Sequence, residues 1–244
     1  MNSTRNPGRV AGLMYLLIAI TGPFRLVYIP SVLFVRGNAS ATANNIASHE
    51  ALFRLGIVSG LVEAVIFSLV GLALYRLLKA VDQNLAGLMV IFVLISAAVG
   101  FVNEANSLAV LIIVHGAEFL SAFDGAQRDA LAMLFVSLRG QVILATEIFW
   151  GLWLFPLAIL VYRSRFLPRF LGVWLTINGV AYVTLSFTGL LLPQHIETVS
   201  KVTFPAQCGE LALVLWLVIK GANPQRFSAA GLSVSGSMIG LSHD

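Results

Sequence analysis

Arg25, Glu63, Glu104, Arg139, Glu147 and Glu210 each place an ionisable group inside a stretch that is otherwise apolar, and Arg54 stands near the outer end of another. Placing an arginine or an acid at the centre of a membrane helix costs about 2.5 to 3.5 kcal/mol, so such groups turn inwards, find partners and mark paths for ions, protons or polar ligands. These seven are the candidate ligand-binding or proton-binding residues. A buried carboxylate without a full counter-charge can exchange a proton or hold a cation, and a buried arginine can hold an anionic group. Glu63 and Glu147 suit the first role, Arg139 and Arg25 the second. The competing reading is a network of buried ion pairs that only fixes helix packing, since three arginines against four glutamates nearly balance.

Other chemistry is poorly supplied. His49, His115 and His195 fall in the polar connections and His243 in the tail, with no His-x-x-x-His or Glu-x-x-His spacing to hold a metal. No Gly-x-Ser-x-Gly elbow and no phosphate-binding glycine loop occurs. Cys208 is the single cysteine, so no disulfide forms within the chain. No catalytic residue, metal or cofactor is therefore assigned. An intramembrane enzyme acting on a lipid-like substrate would have to use His115 with Glu104 and Arg139.

The elements that position these residues follow from composition. Hydrophobic residues make up 58% of the 244 positions and charged residues 11%, less than half of the roughly 25% charged content of a soluble domain. Helices of about 20 apolar residues are the open-ended elements that satisfy their own backbone in lipid. Six stretches qualify, near 10–29, 52–78, 85–114, 130–162, 170–192 and 203–219, the fourth long enough to tilt or protrude.

Basic residues orient them. With the amino terminus inside, Arg5, Arg9, Arg76, Lys79, Arg163, Arg165, Arg169, Lys220 and Arg226 fall on the cytoplasmic side and Arg36, Arg54, Arg128 and Lys201 outside. The net charge of +4 thus reflects orientation rather than a nucleic-acid surface. By rise per residue, Glu63, Glu147 and Glu210 lie near the midplane, with Arg25, Arg54, Glu104 and Arg139 in the outer half. The connections over 31–51 and 115–129 read as polar external loops capping an opening, with Phe119, Leu120 and Phe123 resting in the interface.

Residues three or four apart share a helix face and supply walls. Gly56, Gly60, Glu63 and Phe67 align on the second span; Ser96, Gly100, Asn103 or Glu104, and Ser107 on the third; Trp174, Asn178, Tyr182 and Ser186 on the fifth; Gln207 and Glu210 on the sixth. The glycines among them read first as helix contacts.

Four motifs carry a resemblance: Arg9-Val-Ala-Gly-Leu-Met-Tyr-Leu-Leu17, Leu52-Phe-Arg-Leu-Gly56, Tyr162-Arg-Ser-Arg-Phe-Leu-Pro-Arg-Phe-Leu-Gly172 and Gly209-Glu-Leu-Ala-Leu-Val-Leu-Trp-Leu-Val-Ile-Lys-Gly221. From Arg9 to Gly221 the chain resembles a bacterial integral-membrane family, domain-of-unknown-function family 4386. The resemblance implies several spanning helices and directs attention to Arg54, Arg163, Pro168, Arg169, Gly172, Glu210 and Lys220. It implies no catalytic residue, substrate or cofactor.

The expectation is an all-α, polytopic membrane bundle of six transmembrane helices over 1–221, both termini cytoplasmic, and a disordered tail over 222–244. Its expected partners are membrane lipids and a small-molecule ligand, not nucleic acid. Transport or ligand binding in a charged intramembrane pocket of the bacterial inner membrane is the leading functional reading. An accessory or sensory protein with a structural charge network is the alternative from another class.

Overall fold

A computed structural model describes residues 6–222. Within them the chain is helical, and six stretches are long and apolar enough to cross a membrane: Pro7–Leu33, Glu50–Leu78, Gln83–Val114, Gly125–Arg163, Arg169–Leu191 and Pro193–Ile219. The protein is thus a multi-pass helical membrane protein. Each span begins earlier than hydropathy alone indicates, and the first, third and fourth start on polar caps. Asp82 accepts from the backbone of Asn84 and Leu85, and Asp124 forms a capping box with Gln127.

The first span contains α1 (Pro7–Pro23), a π-helical turn (Phe24–Tyr28) and α2 (Ile29–Leu33). Pro23 has no N–H to offer the Ala19 carbonyl, and the wider turn that follows absorbs the defect. The short helix α3 (Ala39–Ser48) then precedes α4 (Glu50–Leu78) and α5 (Gln83–Val114). The region read as a polar loop over 31–51 is therefore partly helical. Asn38 caps α3 by accepting from Ala41, and Ile46 is fully buried beneath it.

The fourth span is broken rather than simply tilted: α6 (Gly125–Leu152) ends at Trp153, and α7 (Leu154–Arg163) follows. Pro156 explains the break, since it cannot donate to Leu152. The remaining spans are α8 (Arg169–Leu191) and α9 (Ile196–Ile219).

Packing runs around a closed ring, α1 on α4, α4 on α5, α5 on α6, α6 and α7 on α8, α8 on α9, and α9 back on α1. Asn6 and Ala222 clasp the ring shut. The Asn6 side chain accepts from the backbone of Gly8 and Ala222, and Gly8 N–H also donates to the Ala222 carbonyl. Gly221, at φ 70°, makes the turn that brings Ala222 there. Ala222 belongs to the bundle rather than to a tail; residues 223–244 lie outside the described part.

The ring is plugged towards the chain termini by Tyr15, Leu74, Met89, Trp153, Leu157, Leu175, Leu213 and their neighbours. A second apolar cluster, including Leu33, Ile46, Phe53, Val110 and Val136, fills the opposite end under α3. Leu120 is buried in this second cluster, while Phe119 and Phe123 remain exposed.

Candidate functional site

Between the two apolar plugs the ring leaves a cavity of about 460 Å³, and all six spans contribute to its wall. That volume lies within the range of small-molecule sites, roughly 300 to 1,000 Å³. Val27 on the first span and Phe204 on α9 line the cavity and are 65% and 66% exposed, which marks its mouth as a gap between the first and last spans. Below this gap α1 and α9 touch closely: a Cβ on Gly12 would stand 2.7 Å from Leu217 Cβ.

Of the candidate charged residues, Arg25, Glu63 and Glu210 line the cavity. The π-helical turn carries Arg25 inwards, where its Nε donates to Glu63 Oε2 at 2.9 Å and its Nη1 reaches Glu104 Oε1 at 3.4 Å. Glu104 is 2% exposed, backs the wall rather than facing the cavity, and also accepts from Ser107 at 2.9 Å. Gly60 makes this pairing sterically feasible, because a Cβ there would collide with Glu104. Arg139 is buried on α6, close enough to Glu104 for their charges to interact. Its main-chain carbonyl accepts from Asn103 at 3.1 Å.

Glu210 has a different environment. Its carboxylate accepts from Tyr15 Oη, from Asn178 Nδ2 at 3.3 Å and from Tyr182. All three donors are neutral, so this charge has no counter-ion among the described residues. Glu147 lies off the cavity wall on α6, and its buried Oε2 has no hydrogen-bond partner. Arg54 is not in the chamber: it pairs with Glu50 at 2.5 Å on an exposed face near the start of α4. His115 meets the same Glu50, at 3.0 Å, which takes it away from the Glu104 and Arg139 set. Among the described residues no group of three or more His, Cys, Asp or Glu is placed to hold a metal ion.

Reading the sequence for charge alone misses the aromatic part of the wall. Tyr15 and Phe67 flank Trp153 at ring separations of 5.9 and 5.3 Å, and Trp150 meets Tyr182 at 5.8 Å. All five line the cavity. In an apolar segment such residues read as packing. The usable signal was the phenol of Tyr15 deep in the first span, a polar group that needs a partner when buried.

The arrangement offers a largely apolar and aromatic cavity that carries Arg25, Glu63 and Glu210 on its wall and opens between two spans. The model of the family described as Domain of unknown function (DUF4386) matches residues 10–221. An "Uncharacterized protein" of Archaeoglobus fulgidus is 30% identical over 155 residues, which is 62% of this chain and 75% of that relative. No solved structure matches the chain. The family match takes in every cavity-lining residue and all but the first residue of the four motifs of the resemblance, and so the chain belongs to the DUF4386 family of membrane proteins.

Proposed function

We propose that the protein binds a small solute in the cavity between its spans and exchanges protons with it, as a small permease or intramembrane binding protein. The observation that supports this reading best is the cavity itself, about 460 Å³ in volume and lined by Arg25, Glu63 and Glu210. A purely structural charge network has no use for empty volume beside its charges, since protein interiors are otherwise close-packed. The intramembrane-enzyme reading is weaker, because His115 is engaged by Glu50 instead of joining Glu104 and Arg139.

The proposed setting is the bacterial inner membrane, with both termini on the cytoplasmic side and the cavity mouth in the outer half. The basic residues at the terminal side of the spans, Arg9, Arg76, Lys79, Arg163 and Arg169, support this orientation. Lipids and the bound solute are its proposed partners.

The test is a solute screen on purified protein in weakly buffered detergent solution with a pH indicator. Solutes that bind are expected to release or take up protons, and Glu63→Gln with Glu210→Gln removes the proton change. Binding with the proton change intact in the double variant contradicts the reading.

A further inference from the structure

The cavity's charges are unevenly compensated. Arg25 is shared between Glu63 and Glu104, so two acids already claim the one cation on the wall. Glu210, on α9, is held only by the neutral donors Tyr15, Asn178 and Tyr182. The wall therefore holds more carboxyl groups than its one cation can pair. A small inorganic cation would be poorly served, because the remaining wall is mainly apolar and aromatic and lacks a cluster of ligating side chains. Aromatic faces do attract organic cations, and the attraction grows when the site excludes water. Tyr15, Trp153, Trp150 and Tyr182 stand in two such groups beside Glu210. The mouth between Val27 and Phe204 is apolar, so an apolar body can pass it and its charge can settle inside.

We infer that the cavity's ligand is an apolar organic cation, an ammonium or phosphonium compound whose charge pairs with Glu210 and whose body lies against the aromatic wall. This rests on the cavity being a solute site, as proposed above, and adds the class of solute. A ligand of this kind replaces the counter-ion that Glu210 lacks. It also explains why the carboxylate is anchored by three neutral side-chain donors, Tyr15 from α1 with Asn178 and Tyr182 from α8, which fix its position without supplying a counter-ion.

The test uses the full chain in lipid nanodiscs, with empty nanodiscs as blank. Tetraphenylphosphonium and tetraphenylborate, nearly equal in shape and opposite in charge, are compared by equilibrium dialysis. The phosphonium is expected to bind one per chain and at least tenfold more tightly than the borate. It should also slow alkylation of Cys208, the chain's single cysteine and a lining residue. Glu210→Gln, which keeps the shape of the side chain, should weaken phosphonium binding at least tenfold. Trp150→Leu, which keeps Glu210 and its three donors in the chain and removes the ring packed on Tyr182, should weaken it several-fold and guards against a folding failure of the first variant.

Equal binding of the two ions, or phosphonium binding unchanged in both variants, overturns the cation assignment while leaving the solute-site reading in place. Binding of neither ion, in protein that still shows solute-linked proton changes, overturns it in the same way. Binding of neither ion, with no proton change for any solute, removes both.

Discussion

Arg25 holds carboxylates from two different spans, and its loss would leave Glu63 without a cation and Glu104 with only the neighbouring charge of Arg139. Arg25→Gln is expected to destabilise the protein by about 3 to 5 kcal/mol, the range for breaking a buried pair from one side. Adding Glu104→Gln should return part of that loss, because it removes the acid that is 2% exposed. Thermal unfolding in detergent reads both, and a double variant no more stable than the single one would contradict the account. Glu210→Gln, by contrast, should cost less, since it strands no buried charge, although the amide keeps one acceptor oxygen where Tyr15 meets Oε1 and Asn178 meets Oε2 of the acid.

At this scale the sequence was informative about which residues are costly in lipid, but not about their company. Six charges inside apolar spans were legible because each breaks a composition rule. That Arg54 pairs outward with Glu50 was hidden by their spacing, since an i,i+4 pair at a helix start looks the same whether it faces solvent or a chamber. Of the aromatic wall, Phe67 and Tyr182 were legible from helical spacing, whereas Tyr15, Trp150 and Trp153 were hidden because aromatic residues in an apolar run read as packing.

Among the elements, glycines divide into those that let helices touch and those that leave room. A Cβ on Gly151 would stand 2.6 Å from the Gly179 carbonyl on α8, a backbone contact that cannot yield, whereas a Cβ on Gly100 of α5 meets nothing within 4 Å although Gly100 lines the cavity. Gly151→Ala is expected to cost about 1 to 3 kcal/mol by overpacking, and Gly100→Ala close to nothing. Equal thermal shifts for the two would contradict this packing of α6 on α8. The two glycines are indistinguishable in sequence, as both lie in apolar runs without a partner in view.

The spans themselves were legible, because six apolar runs of sufficient length have few alternatives in lipid. Their irregularities were only half visible. Pro23 and Pro156 signal defects, but whether a proline yields a kink, a π turn or a break depends on the neighbouring helix that accepts the exposed carbonyl. The helix over 39–48 escaped notice because it is short and polar, and of its buried residues Thr42, Ala43 and Ile46 only Ile46 is a large apolar one.

For the molecule as a whole, ring closure is the organising feature. The clasp of Asn6 on Ala222 and the contact of α1 with α9 join the ends of the chain, so the six spans surround a space instead of packing into a solid bundle. Both ends of the described chain thus lie on one side, and the basic residues predict that this side is cytoplasmic. A reporter active only in the cytoplasm, fused to Asp244, should be active; silence of that fusion beside activity of one inserted after Gly37 would invert the orientation. No single segment announces the ring, since closure depends on pairing the first helix with the last.

The most direct test of a ligand-holding cavity is native mass spectrometry of the protein released from a mild detergent at the lowest energy that strips the micelle. The wild-type protein should carry one small molecule per chain, and Gly100→Leu, which adds a side chain at a wall position where a Cβ meets nothing within 4 Å, should emerge at its bare mass. Identical spectra for the two proteins, whether both bare or both carrying the same molecule, would contradict the account.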